Sequence, residues 1–103
     1  MRLHQTSHLL KAAWLGVLFG LAACQTAPVQ EMSDARQAIS VAREAGAAEH
    51  AADVLQAAVD YLQSAERHLT DRQYENARED ALQAKLKALD ALRLSESSSE
   101  TDP

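Results

Sequence analysis

The chain has 103 residues, which is enough for one small domain, and its single cysteine excludes an intramolecular disulfide. The formal net charge of −5 becomes −7 once the two basic residues near the N-terminus, Arg2 and Lys11, are set aside. A body this acidic repels phosphate backbones, so nucleic acid is excluded as a partner.

The N-terminal segment is basic and then apolar. Arg2 and Lys11 are its only charged residues, and residues 12–23 (AAWLGVLFGLAA) form an unbroken apolar run. This run has the length of the apolar region of a signal peptide and is shorter than the roughly 20 residues of a bilayer span. A buried helix is disfavoured because Gly16 and Gly20 weaken helices and no polar face interrupts the run. We predict that residues 1–23 are a secretion signal.

The end of this segment contains the residues that lipoprotein processing requires. Leu21-Ala22-Ala23-Cys24 resembles a lipobox, in which the cysteine thiol takes a diacylglyceryl group and small residues precede the cleaved bond. Cys24 would then be the new N-terminus, and its amine could be acylated too. The alternative, a soluble periplasmic protein with a free thiol, would place the chain's only cysteine at this position by coincidence.

The residue after the cysteine bears on localisation. Gln25 would be the second residue of the mature chain. By resemblance to lipoprotein sorting in Gram-negative bacteria, it implies the outer membrane, because Asp is usual there for inner-membrane retention. We therefore expect a protein bound to the outer membrane through its N-terminal lipid and facing the periplasm.

The first part of the mature chain predicts a tether followed by a helix. Residues 24–32 contain Pro28 and no periodicity, which indicates a short tether. Ser33 is the predicted N-cap of a helix over 34–45, with Asp34 in its first turn. Gly46 is expected to end this helix in a left-handed conformation. The apolar positions recur at 3–4 spacing: Ala35, Ala38, Ile39, Ala42 and Ala45.

Two further helices follow, from about residue 49 to 70 and from 74 to 94. The stripe of the second is Ala51, Val54, Leu55, Ala58, Leu62, Ala65 and Leu69. The stripe of the third is Tyr74, Ala77, Ala81, Leu82, Ala84, Ala88, Leu89 and Leu92. Residues 71–73 interrupt the pattern, and residues 95–103 (SESSSETDP) predict a disordered tail because they contain no large apolar residue.

The predicted fold class is all-α. Residues 33–94 form a short antiparallel array of two or three helices, consisting of a helix-turn-helix hairpin and a shorter first helix. Alanine stripes allow close helix approach but bury little area, so the domain should be marginally stable alone. A protein partner or a homo-oligomer would supply the missing burial.

Residues 32–92 carry a family resemblance. Ala35-Arg36-Gln37-Ala38-Ile39, the small-residue break at 45–48 and the stretch 62–69 (LQSAERHL) resemble the envelope-lipoprotein family known as domain of unknown function 4398. The family shares a lipobox, a short tether and Ala/Leu/Glu-rich helices, and has no established activity. Some relatives carry a peptidoglycan-binding OmpA-like domain after this module. Residues after 92 contain no such domain, so that function is not implied here.

A second resemblance concerns the turn between the last two helices. Ala65, Leu69, Tyr74 and Ala77 are similar in spacing to the turn of a tetratricopeptide repeat, with Arg72 where that motif usually has glycine. One unit is present, whereas such domains need about three to bury a continuous core. The resemblance implies repeat-like geometry and no peptide-binding superhelix.

No residue pattern indicates catalysis, a metal or a cofactor. His4 and His8 lie in the predicted signal, and His50 and His68 lack neighbouring cysteines, so they are expected on the solvated surface. The tail serines have no histidine nearby, and no glycine-rich phosphate loop occurs. The paired acids also predict a solvated face, because no cleft is expected around them. These pairs are Glu75/Glu79, Glu79/Asp80 and Glu49/Asp53.

The sequence therefore predicts a non-enzymatic lipoprotein that acts as a structural or protein-interaction module in the cell envelope. The alternative is an accessory factor of peptidoglycan assembly or cell-wall association. A ligand carrier with Tyr61 and Tyr74 lining a pocket is a third class, and core packing explains these tyrosines better.

Overall fold

The computed structural model describes residues 26–101, and the predicted signal at 1–23 lies outside them. Every regular element among these residues is helical, so the predicted all-α class is confirmed for this part of the chain. The helices are α1 (Val29–Glu44), α2 (Ala47–His50), α3 (Ala52–Thr70) and α4 (Tyr74–Thr101).

The three longer helices form an up-down-up bundle. Helix α4 packs against both α1 and α3, which also contact each other. Arg78 near the start of α4 bonds Glu31 near the start of α1, so these two helices run in the same direction. His68 near the end of α3 lies against Asp80, so α3 runs antiparallel to α4. The start of α1 and the α3–α4 turn therefore lie at the same end of the bundle.

Helix α1 begins five residues before its predicted start, within the segment expected to be a tether. Its first backbone bond joins the Met32 amide to the Pro28 carbonyl, and both side chains are buried. Ser33, the predicted N-cap, is an exposed residue inside the helix. The reason is tertiary: Met32 packs into a cluster with Ala65 of α3 and Ala81 of α4, and this contact extends the helix toward the N-terminus.

The α1–α3 connection contains the predicted glycine turn. Gly46 has φ +89°, which confirms its expected left-handed conformation, and its amide donates to the Arg43 carbonyl. The chain then forms the short helix α2 before a break at Ala51, whose φ is −147°. The helix predicted from residue 49 is thus divided into α2 and α3. Its predicted end at Thr70 is confirmed.

The α3–α4 turn is a Schellman motif without glycine. The Gln73 amide donates to the His68 carbonyl at 2.8 Å, and the Arg72 amide donates to the Leu69 carbonyl at 3.1 Å. Arg72 has φ +59°, a left-handed conformation that is costly for a side chain with a Cβ atom. This is the position at which the tetratricopeptide turn usually has glycine.

The core is made mainly of alanine. Only three larger aliphatic side chains are buried: Met32, Ile39 and Leu55 among the described residues. The buried face of α4 consists of Ala77, Ala81, Ala84, Ala88, Ala91 and Ser95. Because these side chains are small, α1 and α3 approach α4 closely. Leu82 and Leu89 were predicted to lie on this face but are exposed on the opposite side of the helix.

Residues 95–103 were predicted to be disordered. This prediction is wrong for residues 95–101, because α4 continues to Thr101. Ser95 is fully buried, and its hydroxyl donates to the Ala91 carbonyl at 2.8 Å. The hydroxyls of Ser98 and Ser99 likewise donate to carbonyls one turn earlier. These bonds satisfy the hydroxyls without interrupting the helix, and the burial of Ser95 holds this part of α4 against the bundle.

Candidate functional site

The predicted processing site lies outside the described residues. Its members are Leu21, Ala22, Ala23, Cys24 and Gln25. The described chain begins at Thr26, two residues after the predicted lipidated cysteine. The place of Thr26 in the bundle is therefore the nearest structural information on that site.

Thr26 is held against α4 by Arg78. The Nη2 atom of Arg78 donates to the Thr26 carbonyl at 3.3 Å. The same guanidinium reaches Glu31 of α1 through Nε at 3.3 Å, and Glu75 through Nη1 at 2.5 Å. A guanidinium has five N–H donors in a rigid fork, which suits it to three acceptors at once. We call these four residues (Thr26, Glu31, Glu75 and Arg78) the Arg78 clasp.

The clasp holds Thr26, two residues after Cys24, at one end of the bundle. Two residues span at most about 7 Å, so chain length alone keeps Cys24 within about 7 Å of Thr26. Val29, which begins α1, has 68% of its surface exposed at the same end of the bundle. The end that carries the clasp is therefore the end nearest to Cys24, and α2 lies at the opposite end.

A second polar cluster joins α3 to α4. The Oδ2 atom of Asp80 accepts a bond from the Ser64 hydroxyl at 2.6 Å and lies 2.8 Å from Nδ1 of His68. His68 and Asp80 were both predicted to be solvated, but their side chains are only 32% and 20% exposed. Sequence patterns missed this pairing because Ser64 and Asp80 meet only when α3 and α4 pack.

This cluster contains the three residue types of a nucleophilic triad, but its hydrogen bonds connect them in a different order. In a triad, histidine stands between the hydroxyl and the carboxylate so that it can take the hydroxyl proton. Here Asp80 stands in the middle and both partners meet the same carboxylate oxygen. The arrangement crosslinks two helices, and the Ser64 hydroxyl donates to a carboxylate instead of to an imidazole.

The other predicted candidates do not converge. His50 and the acids Glu49, Asp53 and Glu79 are exposed, and so is Glu75, which bonds Arg78 in the clasp. No group of three or more metal-binding side chains occurs within residues 26–101. Tyr61 borders a shallow depression on α3, together with Ala57, Asp60 and Ser64. Tyr74 is not part of that depression, so the two tyrosines do not line a common pocket.

Comparison with known proteins identifies the helical body. Residues 30–101 match the family described as Domain of unknown function (DUF4398). The chain belongs to this family. The match extends beyond the predicted 32–92 and includes the part of α4 that was expected to be disordered. No curated protein and no solved structure matches the chain.

The DUF4398 module exposes several leucines on α4. Leu82, Leu86 and Leu89 are 48%, 49% and 43% exposed, and their 4- and 3-residue spacing places them on one side of the helix. We call these three residues the leucine face. It lies opposite the alanines that pack against α1 and α3, so the bundle leaves it uncovered.

The helices of the DUF4398 module are all amphipathic or polar. Within residues 26–101, none of them is both long and apolar enough to cross a membrane.

Proposed function

We propose that this protein is a lipoprotein anchored in the outer membrane through Cys24, whose helical module binds an envelope protein in the periplasm and has no catalytic role of its own. The observation that carries the proposal is the position of Cys24. It follows an apolar run and two alanines, and it precedes the first described residue of the bundle by only two positions.

The anchor supplies what the module lacks. Each buried CH₂ group of an acyl chain contributes about 0.8 kcal/mol to membrane binding, so two or three chains hold a protein almost permanently. A helical body with a small alanine core and an acidic surface has no comparable affinity of its own. With the Arg78 clasp holding Thr26, the bundle would lie directly at the membrane surface instead of on a long tether.

The interaction role is supported by the chemistry of the described surface. The Ser64–Asp80–His68 cluster has its carboxylate in the position that a triad gives to histidine, and the depression beside Tyr61 is formed by α3 alone. By contrast, the leucine face is a contiguous apolar strip of the kind that marks protein contact surfaces.

The anchor is tested by mass spectrometry of the mature N-terminus. Full-length protein would be produced in a Gram-negative host and compared with Cys24→Ser. We expect the unaltered protein to begin at Cys24 with attached acyl chains and to fractionate with membranes. The Cys24→Ser variant should retain residues 1–23 and lack lipid. A mature chain that starts elsewhere, or that carries no lipid, would refute the anchor.

The sorting step has its own matched variant. Gln25→Asp changes one residue next to the anchor and should move the lipidated protein from the outer- to the inner-membrane fraction. If the unaltered protein and Gln25→Asp were distributed in the same way between the two membrane fractions, the outer-membrane assignment would be contradicted. Lipidation at Cys24 would not be affected by that result.

The interaction role is tested by crosslinking in intact cells. We expect one envelope protein to be recovered specifically with the lipidated chain and to be lost from Cys24→Ser. Sedimentation with purified sacculi separates the alternative role at the cell wall: pelleting of the purified protein with sacculi would favour direct wall association over a protein partner.

A further inference from the structure

We propose that the leucine face binds a second copy of this chain, with the two α4 helices antiparallel and Leu86 on the two-fold axis. This inference deepens the interaction role of the proposed function, because it names a second copy of this chain as the occupant of the leucine face, and it does not depend on the lipid anchor. The occupant is inferred from the charges that border the leucine face, because these charges match only one arrangement of two identical helices.

The leucine face is apolar and free in the bundle. Its three side chains are each between 43% and 49% exposed, although the smaller alanines of the same helix are fully buried. A helix that buries alanine and exposes leucine has its larger apolar surface directed away from its own bundle. Covering that surface would bury more apolar area per residue than the alanine contacts do.

The two ends of the leucine face carry opposite charges at equal distances. Glu79 precedes Leu86 by seven residues, and Arg93 follows it by seven. Seven residues are two helical turns, so both charges lie on the same side of α4 as Leu86, about 10 Å from it along the axis. Both side chains reach solvent: Glu79 is exposed, and the Arg93 side chain is 77% exposed.

This symmetry selects the direction of pairing. When two α4 helices meet antiparallel around Leu86, Glu79 of each copy faces Arg93 of the other. Leu82 of each copy then lies within about one residue, or about 1.5 Å along the axis, of Leu89 of the other. A parallel pair would place Glu79 against Glu79 and Arg93 against Arg93. Like charges directly opposite each other destabilise a pairing, so the antiparallel arrangement is favoured.

Neighbouring charges set the extent of the contact. Glu75 and Glu96 continue the same side of α4 beyond Glu79 and Arg93. In the antiparallel pair these two acids approach each other, so the contact ends there and spans residues 79–93.

Lys85 borders the leucine face near its centre, where its long stem allows the ammonium group to turn to solvent. Arg93 also bonds Asp90, and its fork retains donors for a second carboxylate.

The small area makes this a reversible dimer. Three leucines per copy are fewer than the 20–30 or so residues that stable interfaces bury on each side. We therefore expect a monomer–dimer equilibrium that shifts with local concentration, and confinement to a membrane surface would raise that concentration.

Disulfide trapping of the full chain tests the contact. Leu86→Cys should form a covalent dimer in cells under mild oxidation, because the two Leu86 positions lie together at the axis. The matched control is Val41→Cys on α1, a residue of similar exposure at 47% on a different helix. The unaltered chain reports any background from Cys24. A Leu86→Cys dimer yield no greater than that of Val41→Cys would overturn the proposal.

A mixed experiment tests the direction. Co-expressed chains with Leu82→Cys and Leu89→Cys, distinguished by different tags, should crosslink to each other, whereas each variant alone should give little dimer. The reverse pattern, with each variant crosslinking to itself, would establish a parallel pair and refute the antiparallel one. Specific crosslinking of Leu86→Cys to another protein would assign the leucine face to a different occupant.

Charge reversal tests the specificity. Glu79→Arg and Arg93→Glu, each in the Leu86→Cys chain, should lower the dimer yield by about two- to tenfold, since each reversal creates two like-charge pairs. The double reversal should restore the yield. Circular dichroism should show unchanged helicity, because both residues are exposed. Failure of the double reversal to restore the dimer would contradict the pairing of Glu79 with Arg93.

Discussion

Arg78 donates to the backbone carbonyl of Thr26 at 3.3 Å, although the two residues are 52 positions apart. The contact closes the bundle at the end nearest to Cys24, where the chain enters α1. Through the same guanidinium, Arg78 also bonds Glu31, so one side chain of α4 holds both the entering chain and the first turn of α1.

Removal of this guanidinium should loosen the entry of the chain. We expect Arg78→Ala to lower the free energy of unfolding by about 0.5–1 kcal/mol, because the ion pairs are partly exposed. The larger effect should be local, since amides of the first turn of α1 lose the contacts that hold them. Hydrogen exchange should therefore accelerate in residues 32–35, whose amides bond to the carbonyls of residues 28–31, and remain unchanged around Ala88. Arg67→Ala is the control, as Arg67 is exposed and bonds no carboxylate within the described residues. Uniform acceleration across the bundle would contradict a local role.

Replacement of Arg72 by glycine should stabilise the protein. Arg72 has φ +59°, a conformation that costs about 1–2 kcal/mol with a Cβ atom and almost nothing for glycine. Because glycine also gives the unfolded chain more freedom, we expect a net gain of about 0.5–1 kcal/mol in urea denaturation.

The opposite change at the other turn is the matched test. Gly46→Ala would place a Cβ atom 3.3 Å from Cδ2 of His50 at a φ of +89°, so it should destabilise the bundle by about 1 kcal/mol. If Arg72→Gly and Gly46→Ala shifted the unfolding midpoint in the same direction, backbone strain would not be the cause.

Enlargement of the alanine face of α4 should be costly. Ala84 is fully buried between helices, and a leucine there has no space without separating them. We expect Ala84→Leu to destabilise the protein by about 1–3 kcal/mol, measured by thermal unfolding. Leu86→Ala, two residues away on the exposed side, should change the stability of the dilute monomer little. An unaffected melting temperature in Ala84→Leu would show that the helices do not pack as closely as the structure indicates.

Truncation of Asp80 should weaken the α3–α4 contact. Its carboxylate bonds Ser64 and His68, and removing it would leave both polar groups half-buried without their partner. We expect Asp80→Ala to lower the free energy of unfolding by about 1–2 kcal/mol. Asp60→Ala removes an acid from an exposed pair with Gln56 in the same helix and should have little effect. Equal losses in the two variants would indicate a general charge effect instead of a specific crosslink.

The sequence predicted local features well where one residue type decides them. Gly46 was expected to be left-handed because its lack of a Cβ atom makes that conformation inexpensive, and it is. The end of α3 at Thr70 followed from the interruption of its apolar stripe. By contrast, the left-handed conformation of Arg72 was indicated only by its place at the glycine position of a repeat-like turn, since arginine itself has no preference for that conformation.

The candidate sites divide in the same way. Cys24 and its neighbours can be proposed from the sequence because processing enzymes read a short linear segment. The contacts that tie the Arg78 clasp and the Ser64–Asp80–His68 cluster across helices join residues between 12 and 52 positions apart. Such contacts depend on how helices pack, and single-sequence patterns contain no direct information about packing.

By itself, the sequence determined that this chain has a signal-like N-terminus, one cysteine in a lipobox-like position and a body of amphipathic helices. Periodicity and composition suffice for that because they reflect local backbone preferences. Only the tertiary structure decided which side of α4 is inside. The periodic pattern placed Leu82 and Leu89 together with the alanines, but close packing of three helices admits only small side chains between them. The alanines are therefore buried, and the leucines remain on the surface, where a second copy can bind.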